Sequence, residues 1–243
     1  MALKEAFPNL IFENSAGGGK RSDLGMLRFA GRMHRSDNQD PVDSIKMHEG
    51  MTYFIPSKFQ GGACFISDDY TQLVNRRVTS IEFQAHVAML SAVSVSLKFA
   101  ELEPKRRDEL KRMLALNREI RPTVQMGELY RLVSAYDKPY AVYQYLEKDK
   151  SRAVVFILGQ NMQFGQNPEP LRFKALNPDK RYQVTGHGTY YRYPTTSPLH
   201  KTEVPDRTRD YGTYTGRGLM NIGIRFELLG HGTSQILILT EQE

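Results

Sequence analysis

Two spacings of hydrophobic residues divide the chain. Up to about Pro122, short apolar runs of strand length alternate with segments whose apolar residues recur at helical intervals, the mark of β/α units around a parallel sheet. Ala2 to Phe7 predicts the tail of a helix, stopped by Pro8 and Asn9. Leu10 to Glu13 follows as a very short buried strand, then a glycine-rich loop, a helical segment from Asp23 to Phe29, and a second strand end from Arg32 to Ser36. The next helix, Asp40 to Glu49, carries its own start and stop signals. Asp40 suits the N-cap, Pro41 the first helical position, Asp43 the first turn, and Gly50 the position past the end. Thr52 to Ile55, aromatic and β-branched, predicts a third strand. Longer helices are expected from Ile81 to Phe99 and from Pro104 to Ile120, the latter closed by Pro122.

Beyond Pro122 the period changes. Tyr140 to Leu146, Arg152 to Leu158, Leu171 to Lys174, Tyr182 to Thr185 and Gln235 to Leu239 predict strands separated by Pro, Gly, Asn and Asp turns. That pattern fits an all-β module, an antiparallel β-sandwich. A polar loop with Pro194, Pro198 and Pro205 lies between Gly186 and Gly212. The expected organisation is therefore a β/α part over residues 1–122 and a β part over 123–243. A closed (β/α)₈ barrel typically takes about 250 residues, and the first part supplies about three β/α units. Its first strand would also have apolar side chains without neighbours on one edge. The pattern thus predicts the last part of a truncated barrel.

Composition narrows the function classes. The chain has 243 residues with 40% hydrophobic and 25% charged, an ordinary globular balance. No run approaches the roughly 20 apolar residues of a membrane-spanning helix, so no membrane role is expected. Met1 to Pro8 has no secretory pattern, and Cys64 is the only cysteine, which together favour a cytoplasmic, reducing compartment. The net charge of +6 raises the question of nucleic acid. Its densest basic run, Lys105 to Arg107 with Lys111 and Arg112, is interleaved with Glu101, Glu103, Asp108 and Glu109. That is the texture of a solvated helix face, so no nucleic-acid partner is expected.

Three constellations carry candidate chemistry. Glu13-Asn14-Ser15-Ala16-Gly17-Gly18-Gly19-Lys20-Arg21 follows a strand directly, and its glycines let backbone N–H groups approach a ligand. It is not a phosphate-binding loop: Asn14 stands where the first glycine belongs, and Lys20 is followed by Arg21 rather than Ser or Thr. In Arg35-Ser36-Asp37-Asn38-Gln39-Asp40-Pro41-Val42-Asp43, capping accounts for Asp40 and the helix dipole for Asp43. Asp37 has no such local role and falls where a parallel strand ends, a usual catalytic position in barrels, although from the residues alone a plain surface loop aspartate is the better fit. The six histidines, His34, His48, His86, His187, His200 and His231, show no metal-ligand spacing, so no metal site is expected.

The residues also carry a resemblance. Phe7-Pro8-Asn9-Leu10-Ile11-Phe12-Glu13-Asn14-Ser15-Ala16-Gly17-Gly18-Gly19, with Arg21 and Asp23-Leu24-Gly25-Met26-Leu27, closely resembles glycoside hydrolase family 36, the α-galactosidases or melibiases. Ser36-Asp37-Asn38-Gln39-Asp40 is similar to that family's Ser-Asp-Asn-Thr-Asp segment. Further likeness lies at Glu82 with His86-Val87-Ala88-Met89, at Asn117 to Pro122, at Leu129 to Leu132, and at Tyr214-Thr215-Gly216 with Leu219-Met220-Asn221. It spans nearly the whole chain.

The resemblance implies a retaining glycosidase on a (β/α)₈ barrel followed by a β-sandwich, acting on α-galactosides without a cofactor. It maps the acid/base onto Asp37 and sugar binding onto Asn14, Ser15, Gly17, Gly18, Arg21 and His34. The family's nucleophile lies in a Lys-aromatic-Asp-x-Asn segment that does not occur here; Asp137 after Tyr136 lacks the rest of it. Met1 would then fall between the two catalytic carboxylates. Ser15 replaces a frequent Cys, and His34 replaces a frequent Trp, which removes a stacking face. An α-N-acetylgalactosaminide or related α-glycoside is therefore the second substrate class. A non-catalytic carbohydrate-contacting or assembly module, or one half of a split glycosidase, are the alternative functions. A homo-oligomer is compatible with the sequence.

Overall fold

The computed structural model describes residues 2–67, 77–163, 166, 168–189, 191–192, 202–203, 208–228, 230 and 232–242. The chain divides into two compact units, Met1–Gln125 and Met126–Glu243.

The first unit alternates strands with helices. α1 (Ala2–Ala6), β1 (Glu13–Asn14) and the helical turn α2 (Ala16–Gly19) come first, and a 3₁₀ turn at Met26–Arg28 precedes β2 (Arg32–His34). α3 (Pro41–Met51), β3 (Gln60–Ser67), α4 (Ile81–Ala88), β4 (Ala92–Ser96) and α5 (Pro104–Met126) follow. The strands form one sheet in the order β1-β2-β3-β4, every neighbouring pair parallel. Met33 of β2 packs with Ala30, Met51 and Ile55 in a small apolar cluster, and all eight residues of α4 are buried.

Several expectations shift here. Leu10 and Ile11 are exposed, Ile11 at 91%, and β1 begins only at Glu13. Among the described residues its hydrogen-bonded neighbour is β2 alone; Phe12 packs on the Met33 cluster, while Leu10 and Ile11 stay in solvent. Asp23 to Phe29 condenses to the single 3₁₀ turn. Thr52 to Ile55 is not a strand: Ile55 N–H donates to Met51 O, continuing the end of α3 as turns, while Tyr53 and Phe54 face solvent. Gly50 lies inside α3 rather than beyond it. The third strand is Gln60–Ser67, hidden from a pattern reading by Gly61 and Gly62. The helix expected from Ile81 to Phe99 stops at Ala88, and Ala92–Ser96 turns to a strand of β-branched and small residues. α5 runs through Pro122, whose missing N–H falls on an exposed position.

The second unit is a six-stranded antiparallel sheet. It contains β5 (Glu128–Val133), β6 (Tyr140–Leu146), β7 (Arg152–Gly159), β8 (Arg181–Gly188), β11 (Thr208–Thr215) and β12 (Ser234–Gln242), in the order β11-β8-β12-β7-β6-β5. β9 (Tyr191–Arg192) and β10 (Thr202–Glu203) form a separate two-stranded ribbon. A short helix, α6 (Gly216–Asn221), follows β11. Val142, Val155, Val184 and Leu237 pack with Leu171, Phe173, Leu176, Leu219 and Phe226. Among the described residues, the layer on that face is irregular chain and α6 rather than a matching second sheet. The segment expected as a strand from Leu171 to Lys174 makes one backbone bridge, Leu171 to Ile224. Phe173 N–H donates to Leu219 O at 3.2 Å, and Gln144 of β6 holds the far end, donating from Nε2 to Lys174 O at 2.6 Å and accepting from Lys174 N at 3.0 Å. The loop expected from Gly186 to Gly212 is strand at both ends. Its Pro194, Pro198 and Pro205, like His200 and His231, lie outside the described residues.

Cys64 on β3 is fully buried, with its Sγ donating to Gln84 O at 3.3 Å. Burial pushes its thiol up to about 12, partly offset by the charge of Arg35 and reinforced by that of Asp40. The nucleophile in alkylation is the thiolate, which is scarce below that value. The folded chain is therefore expected to resist iodoacetamide at about pH 8, and the urea-unfolded chain to label readily, as followed by mass spectrometry. Rapid labelling of folded protein would contradict the buried placement.

Candidate active site

The site forms where a glycine turn lies against the chain leaving β2. Gly17, Gly18 and Gly19 all have left-handed backbones, with φ of 61°, 73° and 89°. Non-glycine residues rarely adopt these angles. The turn is closed by Gly19 N–H donating to Ser15 O at 3.0 Å. Space demands glycine as well. A Cβ on Gly19 would sit 2.4 Å from Arg35 O, and one on Gly18 would sit 2.9 Å from Asp37 N and 3.1 Å from Asp37 Oδ2. Two side chains tie the layers together: Asn14 Nδ2 donates to Arg21 O at 2.7 Å, and Ser22 Oγ donates to His34 O at 3.1 Å.

The three aspartates that follow β2 have different employments. Asp40 is fully buried and caps α3, accepting from Val42 N at 2.8 Å and Asp43 N at 3.0 Å. Arg77 reaches it at 2.5 Å and Asp43 at 3.3 Å. Asn38 donates to Asp43 Oδ2 at 2.9 Å and accepts from Asp40 N at 3.0 Å. Asp37 lies outside this network. Its side chain is 76% exposed, and Oδ1 lies 3.2 Å from Nε2 of His34, whose own side chain is 12% exposed.

Beside this mouth, Arg32 lies across the sheet. Its Nε is 3.6 Å from Glu13 Oε1 on β1, and its Nη2 donates to Ser94 Oγ on β4 at 3.1 Å. Between them β3 presents Gly61, where a Cβ would fall 1.9 Å from Arg32 Nε. Glu13 and Arg32 are direct partners in the two-residue β1–β2 pairing, so this ion pair reinforces the register that sets Asn14 beside Met33.

The structure thus brings Asn14, Gly17, Gly18, His34 and Asp37 into one neighbourhood. Ser15 and Arg21 belong to the same turn and are exposed. Asn14 is buried, with its amide nitrogen engaged by the turn and Met33 Sδ. Sequence reasoning missed Arg77, which meets Asp40 from a position 37 residues away, and missed the Arg32–Gly61 fit. Neither has a local spacing signal. His48 and His86 are fully buried, and His48 Nδ1 lies 3.1 Å from Gln60 Oε1. Among the described residues no group of three or more His, Cys, Asp or Glu side chains could hold a metal ion.

The site is thus a strand-end carboxylate beside a glycine turn on a parallel β/α sheet. Known proteins match the chain over most of its length. The Melibiase family profile matches residues 1–127, and that of the Glycosyl hydrolase family 36 C-terminal domain matches residues 140–239. Alpha-galactosidase AgaA of Geobacillus stearothermophilus is 30% identical over 188 residues, 77% of this chain and 25% of that protein. Alpha-galactosidase 2 of Hypocrea jecorina is 26% identical over 242 residues, covering 99% of this chain and 29% of that protein. The solved structure of the GH36 α-galactosidase AgaB from G. stearothermophilus superposes with a TM-score of 0.81 at 25% identity, covering 99% of this chain and 30% of that one. A variant of AgaA solved with raffinose superposes with a TM-score of 0.82 at 24% identity, again over 99% and 30%. The chain belongs to the Melibiase family, glycoside hydrolase family 36. It spans between a quarter and a third of the length of these relatives.

Gly19→Ala is expected to destabilise the chain by about 2–4 kcal/mol, summing backbone strain and overpacking against Arg35 O. Gly31→Ala is the control, because a Cβ there meets nothing within 4 Å. Urea unfolding measures both. Equal losses, or none at Gly19, would show that the turn does not sit on the β2 exit as described.

Proposed function

We propose that this chain is the C-terminal part of a retaining α-galactosidase-type glycosidase, in which Asp37 is the acid/base. The observation that carries the reading is the division of labour among the aspartates. Capping and Arg77 occupy Asp40, Asn38 and Arg77 occupy Asp43, and Asp37 alone presents an exposed carboxyl beside the glycine turn. The sequential parallel sheet is read as an arc of a (β/α)₈ barrel over residues 1–122, with strand ends at the sugar-binding mouth. Residues 123–243 are read as the C-terminal β domain, its sheet faced by a layer of irregular chain.

In the mechanism, Asp37 delivers its proton to the glycosidic oxygen as the bond to the anomeric carbon breaks. A second carboxylate, from a Lys-aromatic-Asp-x-Asn segment outside this sequence, attacks that carbon from the opposite face. Asp37 then takes a proton from the water that releases the sugar. Retaining pairs stand roughly 5–5.5 Å apart, and a positioned acid contributes about 10²–10⁴ in rate. Exposed Ser15 and Arg21 and the backbone of Gly17 and Gly18 offer hydrogen-bonding groups to a terminal α-linked galactose. An α-galactoside is the first substrate class, as the names of the relatives indicate for those proteins.

The purified chain alone is expected to hydrolyse no aryl α-galactoside. Turnover that Asp37→Asn abolishes would overturn the assignment of the nucleophile to another segment. Once a front half bearing that segment is supplied, Asp37→Ala should lose ordinary turnover yet still accept aryl glycosides with very acidic phenols. Azide should rescue it and yield the α-glycosyl azide. Asp40→Ala should instead lose at least the about 0.5–2 kcal/mol of a helix cap and keep its leaving-group dependence. Azide rescue of Asp40→Ala and not of Asp37→Ala would move the acid/base role.

A further inference from the structure

His34 replaces an aromatic stacking residue in the resemblance, and the structure gives its ring another partner. The side chain is almost enclosed, and its Nε2 stands 3.2 Å from Asp37 Oδ1. Its backbone is tied to the glycine turn through Ser22 Oγ. On the other side of the carboxyl, the open face of Gly18 lies against Asp37 N and Oδ2. An exposed aspartate would ordinarily rotate freely about its side-chain torsions. This one meets at one oxygen an imidazole that is almost enclosed, and is limited at the other by a backbone without a side chain.

We propose that His34 is a positioning residue for Asp37: its Nε2–H donates to Oδ1 and reserves Oδ2 as the oxygen that exchanges a proton with the glycoside. The proton on Oδ2 passes to the glycosidic oxygen as the C–O bond breaks, the bonding pair leaving with the alcohol. The entering water later returns a proton to Oδ2. The proton on Nε2 stays on the ring throughout, so His34 is neither acid nor base. Holding one oxygen in place acts through orientation, and small misplacements of a reacting group cost about 10²-fold. The assignment of a catalytic purpose rests on the glycosidase reading; the hydrogen bond itself does not.

The test starts with the chain as it is, labelled with ¹⁵N at histidine. The His34 Nε2–H proton should give a resolved NMR signal slowed in exchange with water. Asp37→Asn, whose amide oxygen still accepts, should keep it, and Asp37→Ala should lose it while the urea midpoint stays in place. A signal indifferent to Asp37→Ala, or absent from the parent chain, overturns the proposal whatever the enzyme does. In the enzyme completed with its front half, His34→Gln should retain most of kcat, and His34→Phe should lower kcat about 10–100-fold for poor leaving groups. Substrates whose phenols need no proton should form the glycosyl-enzyme at the parent rate. A rise in KM shared by all substrates would make His34 a sugar contact instead and overturn the positioning role. If the NMR pattern holds but Asp37→Ala keeps ordinary turnover, the hydrogen bond stands and the acid/base assignment falls.

Discussion

The close approach of the glycine turn to the chain leaving β2 is the constraint on which the site depends. Gly18 and Gly19 leave no room for a Cβ, because the backbone from His34 to Asp37 occupies that space. Their left-handed angles and their missing side chains serve the same contact. The turn is joined to β2 by Ser22 and to β1 by Asn14, and its Gly18 forms one wall of the Asp37 carboxyl. Asn14 therefore acts first as a brace: its amide nitrogen holds the far end of the turn at Arg21.

Electrostatics then sorts neighbouring carboxylates by environment. Asp40 is removed from water, and two backbone N–H groups and Arg77 satisfy its carboxyl there. Three residues earlier, Asp37 remains in solvent, and among the described residues its partner is the His34 imidazole. Arg77 makes the difference between them, since it covers Asp40 and Asp43 together and does not reach Asp37. Below the mouth, Arg32 performs a related service for the sheet. It spans from β1 to β4 over the bare surface of Gly61, and β1 needs that support because only two residues pair it to β2.

The β unit stands on different physics. β6 and β7 are buried on both faces, which explains the nearly unbroken apolar runs Tyr140 to Leu146 and Arg152 to Leu158. Gln144, the polar residue in the middle of β6, uses both ends of its amide on the backbone of Lys174. A side chain here replaces a strand partner, fixing irregular chain onto a sheet without leaving a buried amide unsatisfied.

What the sequence determined by itself is local. The start of α3 was readable because Asp40, Pro41 and Asp43 carry its cap chemistry in adjacent positions. The glycine turn and four of the strands in the β unit were readable for the same reason, as was the family through its two loop motifs. Thr52 to Ile55 misled because its aromatic and β-branched residues fit a strand by composition, while their backbone hydrogen bonds continue a helix end. β3 escaped notice because its Gly61 answers to Arg32, a residue far from it in sequence. The tertiary structure alone decided which aspartate is buried, what Gly61 makes room for, and that His34 turns its ring to Asp37. The first two depend on groups brought together across the sheet or from a distant loop, and spacing along a chain carries no record of such distances; the third joins residues only three apart, and the backbone path out of β2 decides it.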